Sequence, residues 1–365
     1  MGEYVVADLH TPNPLWRGSV LPQGVLRYFQ GMNEATPTRT SDGMNRLGES
    51  SEGGGEGEGG SRCGFVAIVG RPNAGKSTLM NALLGEHLSI VTPRAQTTWV
   101  PVKGILTGAR AQIIFVDTPG VLSNPSDLLQ HALLEAVAQG IRDADAVLLL
   151  LDPLWNLSKR EREVLRQSVI AGGRPLMVAV NKVDEAPAEA VDREVAWALD
   201  ALGVEAHRIS AATGEGLDAL TRDLEARVPV GPFLYPEDEV ATAPVRFFVE
   251  ELVRETIFEM LHDEMPWSVL PRVEAFREGG TGGEGRTYVN VVLHVERASQ
   301  KGILVGEGGR TIRKLGVESR RKIEALLGEP VYLELWVKVM PRWRRKKGEL
   351  RRMGLPVPEG QHGVS

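Results

Sequence analysis

From residue 63 onward the chain alternates between two hydrophobic periodicities. Apolar runs at Gly64–Val69, Gln112–Val116, Val147–Leu151, Leu176–Val180 and Arg208–Ser210 predict strands. Two of them, VLLLL and LMVAV, are continuously apolar, as expected of strands covered on both faces. Stretches with apolar residues at helical spacing lie between them: Ser126–Arg142, Ser158–Ala171, Glu189–Leu202 and Leu217–Arg227. This alternation predicts a doubly wound α/β domain over residues 63–235, with its ligand at the carboxyl ends of the strands. The Pro-containing acidic stretch GPFLYPEDEVATA reads as a connection, with residues 236–243 as the linker proper.

A second pattern follows. Val245–Leu261 carries Phe248, Val249, Leu252, Val253, Ile257, Met260 and Leu261 at helical spacing. Strand-like Ser268–Phe276, a glycine-rich turn GGTGGEG and Thr287–Val295 come next, then a helix with Ile312, Leu315, Ile323, Leu326 and Leu327 on one side, and the strand VYLELWVKV. An α+β domain is predicted over residues 244–342, with residues 343–365 as a basic tail. Residues 1–62 lack periodicity, are rich in Pro, Gly, Ser and Thr and end in SSEGGGEGEGGS. They are expected to be a disordered extension, with Met32 and Met44 as alternative starts.

The spacing of the chemistry sharpens the first domain. GRPNAGKS at residues 70–77 stands between a predicted strand and the helix-like STLMNALLG, the context a phosphate-binding loop needs. Gly70 and Gly75 let the backbone turn its N–H groups inward along Arg71, Pro72, Asn73 and Ala74, and the helix N-terminus at Ser77 and Thr78 adds partial positive charge. Lys76 is placed to reach the terminal phosphates, and Ser77 to offer its hydroxyl to Mg²⁺. Asp117-Thr118-Pro119-Gly120 closes a strand, so Asp117 can hold the metal's hydration shell and the Gly120 N–H can meet a γ-phosphate. Between the two motifs, Thr98 or Thr97 can complete the metal sphere; Thr98 is the candidate, making Ser77, Thr98 and Asp117 the metal set and Lys76 and Thr98 the catalytic pair. Val121 stands where many small GTPases carry a water-orienting glutamine, which predicts slow intrinsic hydrolysis or help from a partner or a monovalent cation such as K⁺.

Asn181-Lys182-Val183-Asp184 selects the base. The Asp184 carboxylate can accept from the N1–H and exocyclic amine of guanine, a donor pair adenine lacks. Asn181 is expected to brace the phosphate loop, Lys182 to lay its stem over the base, and Ser210-Ala211 to meet the guanine oxygen through the backbone. The nucleotide implied is GTP or GDP with Mg²⁺.

Composition adds boundaries. With 42% hydrophobic and 25% charged residues the chain has an ordinary soluble composition, and no run approaches the ~20 apolar residues of a membrane span. No secretory signal pattern opens the chain, and the single Cys63 excludes an internal disulfide and fits a reducing compartment. The net charge of −6 speaks against nucleic acid, but its distribution speaks for it: Arg297–Arg352 holds 16 Lys and Arg against 6 Asp and Glu, a local +10 that leaves −16 elsewhere. Within that stretch Gly306-Glu307-Gly308-Gly309 forms a GxxG loop followed by Arg310, Arg313 and Lys314, an arrangement that brings backbone close to nucleic acid phosphates. Trp343 among Arg342, Arg344, Arg345, Lys346 and Lys347 reads as a stacking residue in a phosphate-neutralising cluster.

GRPNAGKS, QTT, DTPG and NKVD, followed by VRFFVEELVRE, the GEGG loop and LELWVKV, resemble the Era family of bacterial GTPases over residues 63–355. The resemblance implies a type II KH domain behind the GTPase domain. It also implies binding to the 3′ end of 16S rRNA, assistance to small-subunit maturation, and a monomer acting in the cytoplasm with peripheral membrane association. The chain departs from the family pattern at three places: Trp99 replaces an Arg after the paired threonines, Glu307-Gly308 lacks the basic residue of many GxxG loops, and Ala74 replaces a valine. Two readings stand at this point, a GTP-driven RNA-binding switch and a constitutive RNA-binding or membrane-associated scaffold with a structural nucleotide site. A small-molecule kinase is disfavoured by NKVD.

Overall fold

The computed structural model describes residues 60–357 apart from 93, 95, 123 and 280–284; most of the predicted N-terminal extension and the core of the glycine-rich turn lie outside the described residues. The first domain is a six-stranded sheet of order β2-β3-β1-β4-β5-β6, made of β1 (Arg62–Gly70), β2 (Val102–Thr107), β3 (Ala111–Asp117), β4 (Ala146–Leu151), β5 (Leu176–Val180) and β6 (Ala206–Arg208). All neighbours pair in parallel except β2, which runs antiparallel to β3 at the edge. Helices α1 (Lys76–Leu84), α2 (Leu128–Asp143), α3 (Lys159–Ile170) and α4 (Ala188–Leu202) lie between strands, and α5 (Leu217–Arg227) follows β6. Every residue of β3 and β4 is buried. This is why their sequences show no alternation, and why the two apolar clusters of the domain lie on opposite faces of the sheet.

The predicted last strand is displaced. The ladder pairs Val178 with Ala206 and Val180 with Arg208, so Ser210 lies beyond the strand in a turn, its N–H donating to the Glu215 carbonyl at 3.0 Å. The linker is also corrected. Residues 236–243 are tied to the open edge of β2: Ile105 N–H donates to the Val240 carbonyl at 2.9 Å, Ala241 bridges Gly104, and Ala241 is buried. An exposed edge strand offers unpaired backbone groups, and this segment covers them.

The second domain runs helix-strand-strand-helix-helix-strand: α6 (Val245–Met260), the single turn α7 (Met265–Ser268), β7 (Leu270–Arg277), β8 (Thr287–Val295), α8 (Ala298–Val305), α9 (Arg310–Leu327) and β9 (Val331–Val339). β8 lies between antiparallel β7 and parallel β9. One face of the sheet packs on α6, α8 and α9 through Val289, Val291, Leu293, Leu304, Ile312, Ile323 and Leu335. The predicted basic tail is the largest correction. Residues 343–345 form a 3₁₀ turn and α10 (Lys347–Arg352) follows, and Trp343, Leu350, Met353, Leu355 and Val357 are buried against Trp99 and against Leu129, Ala132, Leu133 and Ala136 of α2. Basic residues alternate here with apolar ones at helical spacing, so the segment is amphipathic and its apolar side clasps the first domain.

A second contact joins the domains beside this clasp. The buried Glu255 carboxylate of α6 accepts from His87 Nε2 at 3.0 Å and from Lys322 Nζ of α9 at 2.8 Å. Burial works against its ionisation, but those hydrogen bonds and charges outweigh it and hold the carboxyl at about 2.

Candidate nucleotide site and nucleic-acid interface

The phosphate-binding loop leaves the tip of β1 and enters α1. Gly75 takes φ 93°, and a Cβ there would stand 2.3 Å from the Asn181 side-chain nitrogen, so both backbone conformation and space require glycine. Asn181 in turn ties two loops together: its Nδ2 donates to the Ala74 carbonyl and its Oδ1 accepts from the Ala211 N–H, both at 2.9 Å. The strand-end loops thereby surround a cavity of about 480 Å³ lined by Asn73, Gly75, Lys76, Ser77, Thr78, Thr98, Gly120, Lys182, Asp184, Ser210 and Ala211.

At one end of this cavity three oxygen groups converge. Ser77 Oγ lies 2.7 Å from Asp117 Oδ2, Thr98 Oγ1 lies 3.3 Å from the same oxygen, and the two hydroxyls are 3.1 Å apart. Asp117 Oδ1 is buried with no hydrogen-bond partner among the described residues. A compact set of hard oxygens with one carboxylate oxygen to spare fits Mg²⁺, and Thr98, not Thr97, reaches it. Lys76 is buried beside this set, its Nζ donating to the Arg71 carbonyl at 3.0 Å. Burial pushes the ammonium down to about 8; Asp117 opposes that shift and the Arg71 charge adds to it. Burial likewise pushes the Asp117 carboxyl up, against the charge of Lys76 and the hydrogen bonds of Ser77 and Thr98.

The rest of DTPG divides its labour. Thr118 donates to the Ile68 carbonyl at 2.7 Å and is fully buried, so its side chain anchors the strand end and does not face the cavity. Pro119 is buried beside it, and Gly120 lies so close to Pro72 that a Cβ would meet the Pro72 nitrogen at 2.6 Å. Val121 gives its N–H to the Gly70 carbonyl at 3.0 Å and buries its side chain in the domain core, where it cannot reach water in the cavity. At the other end Lys182 is held by Asp152 at 2.7 Å, Val183 packs into the core, and Asp184 is exposed at the rim. Arg71 turns to a neighbouring cleft, its guanidinium 3.8 Å from the Trp155 ring centre.

In the second domain the GEGG loop is a 3₁₀ turn between α8 and α9. Gly308 and Gly309 have open space around them, and Arg310, Arg313 and Lys314 are exposed on the first turns of α9. Glu307 pairs with Arg310, so the acidic residue that departs from the basic GxxG pattern is neutralised locally. Arg345 is exposed, whereas Arg344 is held by Glu296 at 2.6 Å. Trp343 is corrected: it is fully buried, its Nε1 donating to the Ser268 carbonyl at 3.1 Å, so its ring is unavailable for stacking on a base.

Sequence reasoning missed the contacts that join the two sites. Trp99, next to Thr98, is buried with its ring 5.6 Å from Trp343 and 4.7 Å from the Arg254 guanidinium. The available signal was the apolar residue at a position where the resembled family carries Arg.

Residues 65–182 match a family described as 50S ribosome-binding GTPase, and residues 276–344 match the KH domain. The chain is 40% identical to GTPase Era of Bradyrhizobium sp. (strain ORS 278) over 303 residues, 83% of this chain and 97% of the relative. It is also 40% identical to GTPase Era of Synechocystis sp., covering 82% and 94%. Among solved structures it resembles a variant of Aquifex aeolicus Era bound to GDP·AlF₄⁻, with TM-score 0.75, 35% identity and coverage of 80% and 99%. It likewise resembles Era in complex with MgGDPNP and nucleotides 1506–1542 of 16S ribosomal RNA, with TM-score 0.76, 35% identity and the same coverage.

Proposed function

The chain belongs to the Era family of GTPases, and from that premise we propose a GTP-hydrolysing switch that binds the 3′ end of 16S rRNA and assists small-subunit assembly. The observation that carries the switch is the convergence of Ser77, Thr98 and Asp117 beside a buried Lys76, because Thr98 comes from a segment that also touches the second domain. Residues 63–235 act as the GTPase domain and 244–342 as the KH domain, with 343–357 as part of the interface between them. Ser77, Thr98 and Asp117 would hold Mg²⁺, which would supply charge neutralisation at the nucleotide phosphates when bound. Lys76 neutralises the phosphate oxygens, the backbone of Gly70–Ser77 and Gly120 orients the phosphates, and Asp184 reads guanine, with Asn181, Lys182, Ser210 and Ala211 framing the base.

Val121 leaves no side chain there to orient water, so intrinsic turnover is slow and draws on another group or on K⁺. Loss of the γ-phosphate frees Thr98 and with it the contact to the second domain. RNA meets the GEGG loop, Arg310, Arg313, Lys314 and Arg345. No described helix is long and apolar enough to cross a membrane; we place the protein in the cytoplasm, as a monomer, with peripheral membrane association. The test is Gly309→Asp, which puts a carboxylate at the phosphate-facing loop; φ 80° strains any side chain there, Asp and Asn less than most, and the open space around Gly309 leaves room for it. Affinity for an oligonucleotide of the rRNA 3′ end is expected to fall at least about tenfold, as for placing like charge against phosphate, with GTP affinity unchanged. Equal RNA affinity, or joint loss of both, would contradict the assignment.

A further inference from the structure

One helix of the KH domain grips the switch segment at both ends. Glu255 Oε1 accepts from His87 Nε2 at 3.0 Å and from the Val91 N–H at 3.4 Å, just before the segment that carries Thr98. Its neighbour Arg254, 2% exposed, lies with its guanidinium 4.7 Å from the ring centre of Trp99, just after Thr98. A third tie comes from the same helix end, where Arg94 Nη2 is 3.3 Å from His262 Nδ1. Arg254 is itself held in place by two hydrogen bonds to Glu251 and by the Phe258 ring, and Glu255 by Lys322 of α9. Arg254 Nη1 is buried with no hydrogen-bond partner among the described residues, a donor whose desolvation the fold tolerates at this contact. A buried charged dipeptide that spans a loop's two ends, with its own side chains fixed from behind, is the arrangement needed to set that loop's position.

We propose that Arg254 and Glu255 are positioning residues for GTP hydrolysis: from the KH domain they fix His87, Val91 and Trp99 so that the Thr98 hydroxyl stands at the metal site. The inference rests on the GTPase reading above. Neither residue touches the nucleotide cavity, so their effect runs through Thr98. Because Lys322 lies on the helix that follows the GEGG loop, the grip also places the switch segment one ion pair away from the RNA-facing helix.

The test compares the full chain with Arg254→Ala, Arg254→Lys and Glu255→Gln in hydrolysis at saturating GTP, in the Mg²⁺ concentration giving half-maximal rate, and in affinity for a fluorescent GDP. Misplacing a metal-binding hydroxyl by about 1 Å costs up to ~10²-fold in rate. The expected result is kcat lowered about tenfold in Arg254→Ala and Glu255→Gln, a half-maximal Mg²⁺ concentration raised about fivefold, partial rescue by Arg254→Lys, and GDP affinity within about twofold of wild type. Unchanged kcat in both variants would overturn the inference, and so would GDP affinity falling in parallel with kcat, since that marks general loss of structure. A wild-type chain that binds GTP without hydrolysing it would instead overturn the GTPase reading and this inference with it.

Discussion

Lys76→Ala is expected to lower the rate of GTP hydrolysis about 10³-fold and to weaken GTP binding far more than guanosine binding. Removing one preorganised donor from developing charge costs roughly 10²–10³-fold on its own. Here a second effect adds to it. The Lys76 charge helps keep the buried Asp117 carboxyl ionised against the burial that pushes it up. Without that charge Asp117 moves further towards the neutral acid, and a neutral acid is a poor partner for a hard cation. The variant is expected to fold, because the ammonium is itself destabilised by burial, which lowers it to about 8. Single-turnover hydrolysis and the Mg²⁺ dependence of nucleotide affinity check both parts. A chain acting as a constitutive scaffold would keep its cellular activity with this substitution.

The second large effect is at the base. Asp184→Asn is expected to weaken GTP about 10²-fold or more and to make xanthosine triphosphate the better ligand. Guanine offers two donors to one carboxylate; the amide answers one of them with a donor of its own, and an unmet polar group there costs about 1–3 kcal/mol. Xanthine carries a carbonyl in place of the exocyclic amine, so the amide NH₂ finds an acceptor. Competition of unlabelled GDP and XDP against a fluorescent nucleotide reads the exchange. Because Asp184 lies exposed at the cavity rim, the substitution leaves the fold intact.

The two sites differ in how much of them the sequence disclosed. The phosphate loop, DTPG and NKVD each sit at a strand end, and in a doubly wound sheet those ends converge by topology, so short motifs read in order predict a shared site. The Asn181 hydrogen bonds to Ala74 and Ala211 are the physical form of that convergence. The strand β2 was not legible because Lys103 and Gly104 interrupt its apolar residues, and its pairing is decided by the β3 edge rather than by its own pattern.

Trp343 was misread for a different reason. Its flanking arginines and lysines look like a nucleic-acid cluster along the chain, but at helical spacing the same segment has an apolar side, and long-range packing against α2 and Trp99 decides where that side goes. Nothing local in the sequence pairs Trp99 with Trp343 or Glu255 with His87. Contacts between domains depend on how two finished surfaces meet, and the only trace they leave is a residue out of place, here an apolar Trp99 in a polar switch segment.

In the switch proposed above, the state of the nucleotide governs the grip on RNA. Filter binding of the wild-type chain to an oligonucleotide of the 16S rRNA 3′ end, with Mg²⁺ and either GDP or a non-hydrolysable GTP analogue, tests it most directly. Coupling of the usual size, about 1–3 kcal/mol, predicts affinities differing at least about fivefold, the analogue giving the tighter complex. Equal affinity in the two states would contradict the switch.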